Sequence, residues 1–269
     1  MSEIIDKEFE YARDKFCFDI IKDENGEELV ALTRRNVALA EAMIMNNSSY
    51  LKCFDLDCGP KGKRENKNFY CGSTAYCMNE LKYFYDNDGN LIEKRVKEGK
   101  NKKTFKNVVL DAVKAVDREN STHLNADRTG IDEITNRIFE KRADLVKYFG
   151  DVSKGFELID CIKKKTNPTT KKGRANYSFA TKFCHYGSFF FFNDDRKDNY
   201  SIYDGVMEKK LPLYLKMYNI NFDKNEFKVY ENYYKYVGDI IERVKNKTGE
   251  EISRNGFDHL IWYYYKGRI

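Results

Sequence analysis

Apolar residues recur three and four positions apart through most of the chain, the spacing of helices with one buried face. The pattern runs through roughly 34 to 47 (RRNVALAEAMIMNN), 105 to 117 (FKNVVLDAVKAVD), 131 to 149, 153 to 164, 177 to 192, 205 to 218, 225 to 246 and 256 to 266. It predicts a mainly α fold. The period changes between about 50 and 98, where YFYDNDGNLIEKRV sets Asp88 and Gly89 between two alternating arms. A small β element, a hairpin near 80–96, is expected there. No internal repeat and no Pro-rich or Ser-rich linker divides the chain. A soft boundary falls in the basic run KEGKNKKTFK, separating an N-terminal helical region with the hairpin, 1–104, from a helical domain, 105–269.

Composition narrows this reading. Of 269 residues, 41% are hydrophobic and 15% aromatic, enough to bury a sizeable core and to exclude disorder. Only 3 prolines and 16 glycines argue against a turn-dense sandwich or barrel. The apolar runs are too short for a membrane span, and MSEIIDKEFE carries no basic segment followed by an apolar one. A soluble, cytoplasmic, monomeric protein is expected. Its seven cysteines, an odd number, then read as reduced thiols. Cys53, Cys58, Cys71 and Cys77 loosely resemble a four-thiolate zinc set, but zinc ligands usually come in tighter pairs, so buried small side chains are the preferred reading and no metal is expected.

The formal charge of +5 leaves nucleic acid open as a partner without diagnosing it. Its distribution says more. Lys94, Arg95, Lys97, Lys100, Lys102, Lys103 and Lys106 form one basic stretch, and Lys163, Lys164, Lys165, Lys171, Lys172 and Arg174 another. Such runs read as solvated faces or as phosphate-tracking surfaces. Familiar catalytic signatures are missing: GPKGKR at 59–64 does not fit a phosphate-binding loop, no G-x-G-x-x-G or H-E-x-x-H occurs, and three scattered histidines supply no metal centre. Hydride transfer, zinc proteolysis and nucleotide hydrolysis lose their main support. A zinc deaminase is excluded too, for want of its H-x-E partner to a P-C-x-x-C pair.

The chemistry-bearing segment is residues 174–215, which reads as helix, polar loop, helix. The first helix is apolar on nearly every face, with Phe179, Phe183 and Phe190 on one stripe and Ala180, Cys184 and Phe191 on the next, and within it Lys182 is the only charged side chain before Asn193. An amine desolvated in so apolar a helix favours its neutral form, the form a nucleophile needs; alternatively the lysine reaches the surface or a phosphate. Asp204 stands directly before the next apolar run, GVMEKKLPLYL, as a helix N-cap. A carboxylate held there stays ionised and can stabilise positive charge beside it.

Lys182 on a buried helix, a connection, and Asp204 opening the next helix resemble the heart of the helix-hairpin-helix superfamily of DNA glycosylases, most nearly its 8-oxoguanine glycosylase branch. S-F-A-T-K and S-I-Y-D look like that branch's lysine and aspartate blocks. The likeness covers about 40 residues closely and 105–269 loosely. It departs where the family reads L-P-G-V-G before the lysine and this chain reads ANYSFA, with Gly173 further upstream. The resemblance implies a helix-hairpin-helix glycosylase-like fold and a glycosylase with β-lyase activity that flips a damaged or modified base out of duplex DNA, without metal or organic cofactor.

By the same resemblance, Lys182 would be the nucleophile and Asp204 the stabiliser of the cationic sugar. Tyr186, one turn after Lys182, would line the base pocket with His185 and, from the C-terminal segment RNGFDHLIWYYYKGRI, Phe257, His259 and Trp262. Lys171, Lys172, Arg174 and Ser178 would contact phosphate. Ordinary core packing is the competing reading for each pocket residue. An oxidised purine is the default substrate, and a modified base of bacteriophage DNA, excised in defence, the minority one. Two further readings stay open: a DNA-binding or interaction protein that keeps the scaffold without turnover, and a thiol-zinc interaction module.

Overall fold

The structure is a computed structural model that describes residues 18–23, 25–46, 73–95, 103–120, 122, 124, 130–166 and 176–266. Two strands, Ile20–Lys22 (β1) and Glu28–Val30 (β2), precede the helices Arg34–Asn46 (α1), Thr74–Lys82 (α2), Phe105–Asn120 (α3) and Gly130–Glu140 (α4). Leu145–Gly150 (α5), Val152–Lys163 (α6), Tyr177–Phe191 (α7), Gly205–Met217 (α8), Tyr230–Thr248 (α9) and Arg254–Tyr265 (α10) follow. The fold is mainly α, with one small antiparallel sheet among the described residues. None of the described helices is long and apolar enough to cross a membrane. The chain divides into two units: Met1–Ser48 with Ser201–Ile269, and Ser49–Tyr200. The boundary expected near 100–104 falls inside the second of these.

In the Ser49–Tyr200 unit, α7 is the central helix, with α2, α3, α5 and α6 packed against it. That position accounts for its composition: Phe179, Ala180, Phe183 and Cys184 are fully buried, and each buried phenylalanine contributes about 2–3 kcal/mol of hydrophobic stabilisation. Phe149 of α5 packs against Phe183 and Phe191, with ring centroids 5.9 and 4.9 Å away. Gly187 admits this approach, because a Cβ there would overlap the Phe149 ring. A second anchor joins α2 to the start of α3, where Lys103 Nζ lies 3.0 Å from Glu80 and 2.7 Å from Asp111.

The hairpin expected near 80–96 is not formed as two strands. Residues 74–82 are helix α2, whose face of Thr74, Ala75, Cys77, Met78 and Leu81 is buried, so its apolar positions serve a helical rather than an alternating period. The turn itself is present. Gly89 adopts φ +83°, the Asp86 carboxylate accepts the amides of Asp88 and Asn90, and a single bridge pairs Tyr85 with Leu91. A short 3-10 turn at Arg142–Asp144 also interrupts the single helix expected over 131–149.

The other unit contains the actual strand pair, β1 and β2, in the register Ile20 to Val30, Ile21 to Leu29 and Lys22 to Glu28. Its tight turn has Gly26 at φ +81° and Asp23 accepting the amides of Asn25 and Glu27. The sheet's inner edge is satisfied by tyrosines: Tyr265 Oη accepts from Val30 N at 3.1 Å, and Tyr214 Oη donates to Val30 O at 2.9 Å. Helix α10 packs on α1, α8 and α9, so the C-terminal helix forms the centre of this unit.

Candidate functional site

Every side chain of α7 from Phe179 to Ser188 is buried, including Lys182 at 8% exposure. An amine cannot stay there without polar company. Its Nζ lies 3.4 Å from the main-chain oxygen of Asn120, the last residue of α3. A carbonyl at a helix C-terminus has no partner within its own helix and points outward, so it is a ready acceptor. One turn after Lys182, Tyr186 donates its hydroxyl to Oδ1 of the same Asn120 at 2.9 Å. The asparagine amide is oriented by its other end, since Nδ2 donates to Val116 O at 3.1 Å.

The end of α3 that presents Asn120 is itself tied down. Asp117 is buried and accepts from Thr122 Oγ1 at 2.6 Å and Leu124 N at 2.8 Å. Glu119 accepts both the amide and the hydroxyl of Thr74 at the start of α2, at 2.8 and 2.6 Å. Asn120 therefore projects from a braced helix end. Nothing local in the sequence marks it, because it stands 62 residues before Lys182 in the chain.

His185 is also buried, and its Nδ1 donates to Tyr200 O at 3.2 Å, which requires a proton on that nitrogen. Its ring stands edge-on to Tyr186 at 5.2 Å and stacks along Phe189 at 6.4 Å. The predicted trio of Lys182, His185 and Tyr186 thus shares one helix and one aromatic layer. Beside them in sequence, Cys184 has its thiol pushed well above its ordinary range by complete burial.

Comparison with protein-family models, curated proteins and solved structures returned no match.

Helices α6 and α7 form a packed helix–connection–helix pair. Of the residues expected to contact phosphate, Lys171, Lys172 and Arg174 lie outside the described residues, while Ser178 is half-buried in the first turn of α7. The base of the connection is held firmly. Asn176 donates from its amide to Lys163 O and from its side chain to Lys164 O, and Arg137 reaches Ile162 O, Lys164 O and Lys165 O. These bonds satisfy the carbonyls that end α6. Of the cysteine cluster, Cys53, Cys58 and Cys71 lie outside the described residues and Cys77 is buried in α2. Among the described residues no group of three His, Cys, Asp or Glu side chains is arranged to hold a metal ion.

The remaining candidates belong to the unit of Met1–Ser48 and Ser201–Ile269. Asp204 caps α8 as its position predicts, with Oδ1 accepting from Val206 N at 3.0 Å and Met207 N at 3.1 Å. Beside it, Tyr203 is pushed up to about 12, by burial first and then by the Glu208 carboxylate, so it keeps its proton at neutral pH. On α10, Phe257 is fully buried and edge-on to Tyr214, His259 places Nδ1 3.4 Å from Glu41 of α1, and Trp262 is half-buried. A separate polar cleft of about 400 Å³ lies near the ends of α8 and α9, lined by Asn219, Asp239, Glu242 and Arg243, and contains none of the predicted site residues.

Proposed function

We propose that the protein is a DNA glycosylase with β-lyase activity, acting on a damaged or modified base through Lys182. What supports the reading is the Lys182 amine: buried in the central helix of its unit, held at Asn120 O and flanked by Tyr186, within a sequence segment that resembles the lysine block of the helix-hairpin-helix glycosylases. A lysine enclosed this way is poorly suited to pairing with solvent or with a distant phosphate. It suits covalent chemistry with a group brought to it.

In the proposed reaction the neutral amine attacks C1′ of a flipped nucleotide, the glycosidic bond breaks, and the base leaves with the bonding pair and then takes a proton. Opening of the sugar ring yields a Schiff base between Nζ and C1′. Loss of a proton from C2′ then expels the 3′ phosphate, and water releases the lysine. Asp204, at the N-cap of α8, is assigned the stabilisation of positive charge on the sugar. Tyr186 and His185 are assigned to the wall against the flipped base. Lys171, Lys172, Arg174 and Ser178 are assigned to phosphate, with an oxidised purine as the default substrate and a bacteriophage-modified base as the minority one.

The test is borohydride trapping on duplex DNA carrying an abasic site, together with base release from a panel of modified oligonucleotides. A covalent adduct that disappears in Lys182→Gln is expected. Base release without an adduct would reassign the enzyme as one that uses water, and neither activity on any substrate would favour a binding protein on the same scaffold.

A further inference from the structure

Asn120 makes a pair of contacts that core packing alone does not call for. It meets Lys182 through its main-chain oxygen and Tyr186 through its side-chain oxygen, and those two residues are one helical turn apart on α7. The amide has one available orientation, because Nδ2 is spent on Val116 O. Oδ1 must therefore accept, and the Tyr186 hydroxyl must donate to it. The segment that presents Asn120 is braced on both sides, by Asp117 to Thr122 and Leu124, and by Glu119 to Thr74.

We infer that Asn120 is a positioning residue for the lysine chemistry, setting the place of Nζ with its main-chain carbonyl and the place and polarity of the Tyr186 hydroxyl with its side chain. The inference rests on the glycosylase reading and goes beyond it, since neither the lysine and aspartate blocks nor the pocket residues include α3. Asn120 forms no bond in the reaction. It acts by removing freedom from two groups that must meet a sugar and a base in one geometry, where small displacements cost rate rather than binding. With the hydroxyl proton committed to Asn120, Tyr186 meets any further group as an acceptor, and so favours a base edge that carries an N–H or O–H.

The experiment compares wild type, Asn120→Ala, Tyr186→Phe and the double variant in borohydride trapping on abasic duplex DNA, measuring the rate at saturating DNA and the DNA concentration at half-saturation. Each single variant removes the same hydrogen bond from opposite ends. The expected result is a saturated rate roughly five- to tenfold slower in each, with half-saturation unchanged, and a double variant no slower than either single one. A structural role alone would not produce that kinetic split, and the non-additivity shows that both variants act through the one bond. Tyr186→Phe keeps the test informative if Asn120→Ala folds poorly. Wild-type trapping with both single variants within twofold of it overturns the inference and leaves the lyase reading standing, whereas absence of any wild-type adduct overturns the lyase reading and the inference with it.

Discussion

Gly187→Ala tests whether the central helix is held in the register that places Lys182. An added Cβ would stand 2.5 and 2.6 Å from two ring carbons of Phe149, whereas carbon atoms in contact sit about 3.5–4.0 Å apart, an overlap of roughly 1 Å. The ring has little room to yield, being fully buried and wedged between Phe183 and Phe191. Overpacking of this kind costs about 1–3 kcal/mol, and more where neighbours are locked. With the ring locked, the cost here falls in the upper part of that range, about 2–3 kcal/mol; alanine returns about 1 kcal/mol of helix propensity, so a net loss of about 1–2 kcal/mol is expected. At roughly 2–4 °C per kcal/mol for a chain of this size, thermal unfolding should shift down by about 2–8 °C. Gly205→Ala is the matched control: that glycine opens α8 with nothing within 4 Å of an added Cβ, and the same substitution should be neutral or slightly stabilising. An unchanged or raised melting temperature for Gly187→Ala would refute the close α5–α7 packing on which the placement of Lys182 depends.

Two other predictions separate charge from structure. Asn caps helices about as well as Asp, so Asp204→Asn should keep stability within about 0.5 kcal/mol while Asp204→Ala loses about 1 kcal/mol in urea unfolding; base excision should fall roughly a hundredfold or more in both, and undiminished excision by the Asn variant would sink the assigned role. Tyr76 and Tyr203 are each pushed up to about 12, chiefly by burial and then by Glu80 and Glu208 respectively. A raised folded-state value means the unfolded chain ionises first, so their contribution to stability is complete below about pH 10 and is lost as pH climbs towards 12. The urea midpoint should therefore hold up to about pH 10 and fall beyond it, and a midpoint that rises between pH 10 and 12 would contradict that sign.

Periodicity alone located most helices from 105 onward closely, because each buries one face and the apolar spacing reports that face directly, but it ran α4 and α5 together across the turn at Arg142–Asp144 and began α9 early, within the 3-10 turn at Lys224–Lys228. It also identified the burial of α7 and the capping role of Asp204, both of which depend on residues close in sequence. Helix α2 was less legible. Its nine residues adjoin a genuine turn at Asp88–Gly89, and only the packing of Thr74, Ala75, Cys77, Met78 and Leu81 selects a helix there. The strand pair at Ile20–Val30 was equally hidden, since three-residue strands are too short for alternation to show and are completed by Tyr214 and Tyr265, some two hundred residues away.

The same division runs through the candidate site. Which helix is buried, and that a single lysine lies within it, can be read from the order of residues, because hydrophobic patterning is a local record of burial. What the lysine touches depends on how the helices pack. A helix-end carbonyl and an asparagine amide become partners of Lys182 and Tyr186 when α3 packs against α7, and no residue near either helix in the chain encodes that meeting. Hydrogen-bond partners 62 and 66 residues apart are set by how the helices pack and by the braces at Asp117 and Glu119 that hold the end of α3 in place.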